Sequence, residues 1–402
     1  MKSRLACTDR KKKNPAGAID QELFAWMREI RRSLHRYPEL AYQEERTGRR
    51  IVEELDRLGV KWRGGFASTG IVAEIGQGGD TPCVALRADM DALPITEETG
   101  VSFASTRPGV MHACGHDGHV AMLLGTAALL RDQELPGRVR LLFQPAEESG
   151  NGAARMIDDG ALDGVDMIFG GHIDTHYPVG RFTVDQGLVC SYTDPFVIRI
   201  HGQGGHAARP HEAIDSVVVA SNLVMSLQTL ISRQIDPAQA AVITVGRFVA
   251  GTVHNVIAEH ALLEGTIRSA HPGTRERILS GIRRVIQGFG EMCNASIELE
   301  FFGHLPAVIN DETATAIARH AADRVVGTDN VISQGHPSLG GEDFAFYQQR
   351  IPGCLVRFGG ACTTRETGPA HSSRFDFDEA VLGLGAAWLA EVARAGLHSL
   401  GS

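Results

Sequence analysis

Apolar positions recur at helical spacing in ELFAWMREIRRSLHR (22–36) and EERTGRRIVEELDRLG (44–59), so two amphipathic helices are predicted early in the chain. Short apolar runs then alternate with helical segments. IVAEI (71–75), CVALRA (83–88), RVRLLFQ (138–144) and DMIFGGH (166–172) read as buried strands. HVAMLLGTAALLRD (119–132) and NGAARMIDDG (151–160) read as the helices between them. This alternation predicts a layered α/β domain with a mainly parallel sheet. In such sheets ligands collect at the carboxyl ends of the strands, and the polar clusters of this chain fall at those ends.

The middle of the chain has another rhythm. FVIRIH (196–201) reads as a strand, HEAIDSVVVASNLVMSLQTLISR (211–233) as a long helix, and AAVITVGRFVA (240–250) and ALLEGTIRS (261–269) as two strands. TRERILSGIRRVIQGFGEM (274–292) follows as a helix and SIELEFF (296–302) as a strand. That β-α-β-β-α-β order is the ferredoxin-like split. Residues 191–304 are therefore expected to form a small domain inserted in a larger one made of 1–190 and 305–402. The larger domain resumes with a helix at 311–325, strand CLVRFGG (354–360) and a closing helix over 378–395.

Composition narrows the function classes. The 402 residues suffice for two or three domains. The net charge is −9, and the one basic run, KKK at 11–13, sits in a polar N-terminal segment expected to be disordered. An acidic chain without a basic face does not suit nucleic acid. The first residues lack a signal-peptide core, and no apolar run reaches the roughly 18 residues of a membrane span. The seven cysteines (7, 83, 114, 190, 293, 354, 362) are odd in number and scattered, which argues against a disulfide scaffold and for a reducing cytoplasm. The sequon Asn294-Ala295-Ser296 is expected to be accidental there.

Candidate chemistry concentrates in a few stretches. MHACGHDGHVAMLLG (111–125) crowds His112, Cys114, His116, Asp117 and His119 onto the approach to a helix. Crowded imidazoles repel when protonated and make poor core, so a metal site is the sharper reading. Cys114 and His116 sit two apart and can face one point; thiolate plus imidazole suits zinc, or a bridge between two cations. Alone, Cys114 reads equally as a small buried hydrophobe. Asp89 and Asp91 end the strand of ALRADMDALPI, where one of them can orient a ligating imidazole. FQPAEESGNG (143–152) pairs Glu147 with Glu148; next to a metal, one can ligate while the other acts as general base. FGGHID (169–174) ends a strand in His172, and GPAHSSRFDFDE (368–379) offers His371 in a polar loop. IHGQGGHAARPHEAID (200–215) fits G-x-G-x-x-A at Gly202, Gly204 and Ala207, yet His206 and Arg209-Pro210 interrupt the helix start and no acidic residue follows at the distance a dinucleotide site needs. The better reading is a loop presenting His206. Asn255 and Arg268 fall in the inserted domain, and Arg268 suits a two-pronged clamp on a carboxylate.

Taken together, LHRYPELAYQE, LRADMDALPI, MHACGHDGH, FQPAEESGNGA, GGHI, GQGGHAARPHEAID, HNVIAEHALLEGTIR, GGEDFAFY and HSSRFDFDE span 34–379 in one order. This set resembles the M20 metallopeptidase and aminoacylase family, in particular its N-acyl-amino-acid amidohydrolases, which include hippurate and auxin-conjugate hydrolases. The resemblance implies two divalent metal ions, zinc or manganese, with cobalt or nickel as alternatives. By position it implies Cys114, His116, Glu148, His172 and His371 as ligands, Glu147 as general base and Asp89 as an orienting group. His206, Asn255 and Arg268 would touch substrate or transition state, and the inserted domain would serve as a lid and dimerisation domain. The expected partner is then a small N-acyl amino acid, with a homodimer or a higher oligomer built from it.

Three departures bear on acyl-group preference: Asp174-Thr175 where the family often has Pro, SSRF after the last ligand in place of Asn-Pro-Lys, and Gly341 where Ser or Ala is more common. The expected activity is amide hydrolysis by hydroxide that the cations supply at neutral pH, with Glu147 moving the proton. The alternatives are a dipeptidase or carboxypeptidase of the same fold, and a catalytically dead binding dimer.

Overall fold

Asp20 starts the first helix: its carboxylate accepts the Leu23 N–H at 2.8 Å, which satisfies one open donor. The computed structural model describes residues 19–401 except 77, 80 and 364; the basic run at 11–13 and Cys7 lie outside the described residues. In chain order the elements are α1 (Gln21–Arg36), α2 (Glu45–Leu58), β1 (Lys61–Phe66), β2 (Gly70–Gly76), β3 (Cys83–Asp89), α3 (His116–Leu130), β4 (Arg138–Gln144), α4 (Gly152–Asp158), β5 (Met167–Pro178) and β6 (Phe182–Thr183). They continue with β7 (Gly187–Cys190), β8 (Tyr192–His201), β9 (Gly205–His206), α5 (Ser216–Gln234), β10 (Ala241–Ala250), β11 (Val256–Ile257), β12 (His260–Ser269), α6 (Pro272–Cys293) and β13 (Ser296–Phe301). The last are β14 (Val308–Asn310), α7 (Glu312–Val326), β15 (Val331–Ile332), α8 (Ala345–Gln348), β16 (Gly353–Ala361) and α9 (Val381–Leu400).

The chain divides into two compact units. The first holds Met1–Gly187, Asn310–Gln334 and Tyr347–Ser402. Its eight-stranded sheet runs β1-β2-β4-β3-β5-β16-β6-β15. The central strands β4, β3, β5 and β16 are parallel, while β1, β2 and β6 attach antiparallel. The sheet is thus parallel at its centre; β1, β2 and β6 join it antiparallel, and β15 at the far edge is again parallel to β6. β3 is buried at all seven positions. α3 is apolar almost all round and buried nearly throughout, as a helix enclosed by other elements must be. Each of its fully buried Leu123 and Leu124 side chains contributes about 1.5–3 kcal/mol by burial.

Three details differ from the sequence pattern. β1 was not expected from KWRGGF, whose first five residues are exposed; cross-strand pairing with β2 makes it a strand, not burial. β5 does not end at His172 but runs on to Pro178, because its partner β16 continues the ladder past Asp174 to Ala361. The long helix expected from 211 begins at Ser216, after a 3-10 turn at Pro210–Glu212; Asp215 caps it by accepting the Val217 and Val218 N–H groups.

The second unit comprises Leu188–Ile309 and Gly335–Phe346. Its four-stranded sheet has the order β10-β12-β8-β13, every pair antiparallel, with β10 and β13 at the edges. α5 and α6 bury Val219, Leu223, Leu227, Ile278 and Ile282 in a second core with Phe196, Ile198 and Leu263 of the sheet. Val242, Phe248 and Val249 of the edge strand β10 are exposed, as are Val217, Val218 and Met225 of α5.

Candidate metal centre

Four segments of the first unit converge at the carboxyl ends of its parallel strands. The turn after β3 ends at Met111–Cys114 and enters α3 through Gly115, whose φ of +91° is a left-handed conformation that glycine adopts without strain. This turn delivers Cys114 and His116. Beyond β4, residues 145–151 form a tight loop in which Ala146 takes φ +57° and Gly152 lies against it; a Cβ at Gly152 would stand 1.8 Å from the Pro145 carbonyl oxygen. This loop delivers Glu147 and Glu148. β5 supplies His172. His371, itself at φ +65°, is tied to the first segment by its N–H donating to the Ala113 carbonyl at 2.8 Å.

The side chains meet. Cys114 Sγ stands 3.4 Å from His172 Nε2, and His371 Nε2 stands 3.3 Å from Glu148 Oε1. His116 Nε2 lies 3.9 Å from Glu148 Oε1 and 4.0 Å from Glu147 Oε2. Cys114, His116 and His172 have ligand atoms within 4.8 Å of one another, as do Cys114, Glu148 and His371, and His116, Glu147 and Glu148.

Hydrogen bonds set which nitrogen each ring offers. His116 Nδ1 lies 2.9 Å from the Asp91 carbonyl and must donate to it, which leaves the Nε2 lone pair facing the cluster. His172 Nδ1 likewise donates to the Ile173 carbonyl at 2.7 Å, leaving Nε2 towards Cys114. His119 has no free nitrogen: Nδ1 bonds Asp89 Oδ1 at 2.6 Å and Nε2 accepts the Ile173 N–H at 2.9 Å. Asp89 also takes Arg87 Nη1 at 2.5 Å, and its nearest approach to His116 Nε2 is 3.8 Å. Its hydrogen bond therefore orients His119, while the Asp91 backbone orients His116.

Two buried atoms of this cluster, His116 Nε2 and Glu148 Oε1, lack a well-aligned hydrogen bond, although the His371 ring stands 3.3 Å from the latter. Unpaired buried polar atoms are costly, and a cation between them removes the cost. Without a cation, burial and the neighbouring carboxylates set the proton balance of the cluster, and a bound divalent ion would displace those protons. Burial, then the Glu148 carboxylate, pushes the Cys114 thiol up to about 12. Burial pulls against the His116 ring, but Asp89 and Asp91 outweigh it and hold a proton on the imidazole. Burial, with His119 and Arg357 behind it, keeps His172 neutral. Thiolate, imidazole and carboxylate together are a donor set for zinc-type divalent ions, so the residues present fit such a metal centre.

Asp91 and Glu44 shape the loop that carries the glutamates. The Asp91 carboxylate accepts the N–H groups of Glu147 and Glu148, each at 3.0 Å. Glu44 accepts the Ala146 N–H at 3.0 Å and the Thr69 hydroxyl at 2.7 Å. The sequence signal for Asp91 was present, since a pair of acids ended a strand, but their separate tasks were not readable. Nothing local in LHRYPELAYQE announces the role of Glu44. His112, part of the same His-rich turn, is buried with neither ring nitrogen bonded, and burial pulls its pKa down to about 4.

His206, Asn255 and Arg268 belong to the second unit. His206 is exposed on β9, opposite Val256 of β11, with its Nδ1 accepting the Ala208 N–H at 3.0 Å. The Asn255 carbonyl accepts the Ala207 N–H at 3.2 Å, so the two residues flank one short ladder. Arg268 on β12 donates to the Thr193 hydroxyl, and partial burial lowers its pKa.

The profile of peptidase family M20/M25/M40 matches residues 85–395. N-acetylcysteine deacetylase of Bacillus subtilis is 42% identical over 371 residues, covering 90% of this chain and 95% of that protein. IAA-amino acid hydrolase ILR1-like 5 of Arabidopsis thaliana is 40% identical, covering 93% and 87%. The crystal structure of the Bacillus subtilis YXEP protein, described as a dinuclear metal binding peptidase from the M20 family, superposes with a TM-score of 0.82 at 37% identity, over 94% of this chain and 99% of that one. The chain belongs to peptidase family M20/M25/M40. Within that family it is a metal-dependent amidohydrolase.

Proposed function

We propose that this protein hydrolyses N-acyl amino acids to a carboxylic acid and a free amino acid, using two divalent cations. The observation that carries the reading is the convergence of Cys114, His116, Glu148, His172 and His371, with Glu147 beside them and ligand atoms that lack a well-aligned hydrogen bond in their midst. Two relatives are named for a deacetylase of N-acetylcysteine and for a hydrolase of an indole-acid conjugate, which supports an acyl group joined to an amino acid. Cations held by these residues, zinc or manganese with cobalt or nickel as alternatives, would lower the pKa of water from 15.7 to about 7 and would polarise a carbonyl.

The chain's own groups do the rest. Glu147 accepts the proton of the attacking water and returns it to the leaving amine nitrogen, as a carboxylate beside the reacting centre can. Asp91 holds Glu147 and Glu148 by their backbone, and Asp89 acts through His119. His206 donates to the carbonyl oxygen as negative charge gathers on it, Asn255 supports that loop, and Arg268 clamps the substrate carboxylate with its two-pronged guanidinium.

In this reading residues 191–304 are a ferredoxin-like lid and dimerisation domain, set between 1–190 and 305–402. The antiparallel order β10-β12-β8-β13 and the exposed apolar residues of edge strand β10 support a homodimer, because an open edge with apolar side chains invites a second copy. Among the described residues no helix is long and apolar enough to cross a membrane. We place the enzyme in the cytoplasm on its cysteine usage.

Metal analysis of the purified protein, with a panel of N-acetyl and N-benzoyl amino acids against dipeptides, tests the reading. The expected result is two divalent ions per chain and turnover of acyl amino acids that dialysis against a chelator abolishes. Dipeptides as the better substrates would replace the reading by a peptidase, and metal-independent turnover would refute it.

A further inference from the structure

The segment from Arg31 to Glu44 holds no candidate ligand, yet it touches three of the segments that do. The Glu39 carbonyl accepts the Ala92 N–H at 2.8 Å, and Glu44 accepts the Ala146 N–H at 3.0 Å. The strongest link is Arg31, whose side chain is fully buried. Its Nε bonds Asp117 Oδ2 at 3.0 Å, its Nη2 bonds Asp376 Oδ1 at 2.5 Å, and its Nη1 bonds Glu379 Oε1 at 3.2 Å. The guanidinium lies between the rings of Phe103 and Phe377, 4.6 and 4.4 Å from their centroids. His35, one turn further along α1, bonds the same Asp117 oxygen at 2.8 Å and reaches Glu97 at 3.2 Å.

Asp117 directly follows His116, and Asp376 lies in the loop that His371 opens. We propose that Arg31 is a positioning residue: its fork clamps Asp117 to Asp376 and so fixes the separation of His116 and His371 on which cation affinity depends. The proposal rests on the assignment of those two imidazoles as ligands. Without the guanidinium, the buried Asp117 and Asp376 carboxylates lose the cation they share and keep only separate partners, His35 and Arg365, and breaking a buried ion pair is costly. The loop bearing His371 would then be tied to the start of α3 chiefly by the backbone bond to Ala113. A lysine in place of Arg31 keeps the charge, but a single ammonium cannot reproduce a planar fork shared among three carboxylates. Arg365 also pairs with Asp376, from the exposed side, and offers no link to Asp117.

The test titrates Zn2+ into full-length, metal-free protein against a chromophoric chelator, for wild type, Arg31→Lys and the control Arg140→Lys. Arg140 is also a buried guanidinium of the first unit, bound to Glu74 and to the Ala161 and Asp163 carbonyls, away from every ligand-bearing segment. Both variants should lose thermal stability. Arg31→Lys should bind Zn2+ about 10-fold more weakly, the scale of losing an outer partner of a ligand, while Arg140→Lys stays at wild-type affinity. Turnover of the metal-saturated Arg31→Lys enzyme should show a lower kcat with KM unchanged. Wild-type Zn2+ affinity in folded Arg31→Lys, or an equal loss in both variants, overturns the proposal. If Arg31→Lys does not fold, Asp376→Asn, which breaks the same clamp from its other end, decides by the same titration. Should wild type bind zinc but cleave no acyl amino acid, the functional reading fails and the affinity comparison still judges Arg31.

Discussion

Asp91→Asn is the most informative single change at this site. The wild-type carboxylate is buried, 1% exposed, and accepts two backbone N–H groups at 3.0 Å each, those of Glu147 and Glu148. Asparagine has nearly the same shape, but its amide carries one acceptor oxygen. Whichever N–H faces the oxygen keeps a neutral bond, and the other faces an NH2 group, donor against donor. One charge-assisted hydrogen bond is lost, a term of about 1.5–3 kcal/mol, and the stranded buried donor adds about 1–3 kcal/mol, partly the same energy counted again. A net cost of about 2–4 kcal/mol follows, most of it local to the loop. The loop relieves it by turning one peptide, which moves Glu147 or Glu148. Metal-free protein in urea should therefore show a lower midpoint at unchanged slope. Turnover should fall by about 10–100-fold, the usual scale for losing a partner that orients a metal-site group. Wild-type stability together with wild-type turnover in Asp91→Asn would refute the claim that this carboxylate shapes the glutamate loop.

Three further outcomes are expected. Cys114 should resist alkylation in metal-loaded protein and become reactive after chelation, slowly at neutral pH because its free thiol sits up near 12; equal labelling in both states removes it from the ligand set. Glu44, pushed up to about 7 by burial, keeps its proton in the folded protein after the unfolded chain has lost it near 4.5. Its contribution is thus full below about pH 4.5 and declines as pH rises to about 7, by at most about 3 kcal/mol; Glu44→Gln should flatten that part of the stability profile, and an identical slope in both proteins counts against it. His206→Ala should cost about 10²–10³ in turnover and Glu147→Gln about 10²–10⁴. If His206 serves the metal cluster of the second copy in the proposed homodimer, subunit exchange between these two variants restores activity towards half of wild type per mixed dimer, and no recovery despite proven exchange refutes that arrangement.

The sequence by itself determined the alternation of strands and helices, because core strands such as CVALRA are apolar throughout and helices such as that of 22–36 carry their burial at spacings of three and four. It also marked Cys114, His116, the Glu147-Glu148 pair, His172 and His371 as chemical candidates, since each stands in a turn or at a strand terminus where apolar packing does not explain it. What it left open was division of labour. Asp89 and Asp91 look alike along the chain; only tertiary contacts send one to His119 and the other to the backbone of residues 147 and 148. His119 looked as apt a ligand as His116, yet both of its nitrogens are taken by groups distant in sequence. β1 and the far half of β5 were invisible because cross-strand partners, not their own side chains, make them strands. Arg31 is the extreme case: on a helical pattern it reads as one more surface cation, and it is buried only because Asp117, Asp376 and Glu379 arrive from up to 348 residues away to neutralise it. Hydrophobic periodicity is written locally in the chain, whereas the pairing of buried charges is a property of segments that meet only after folding.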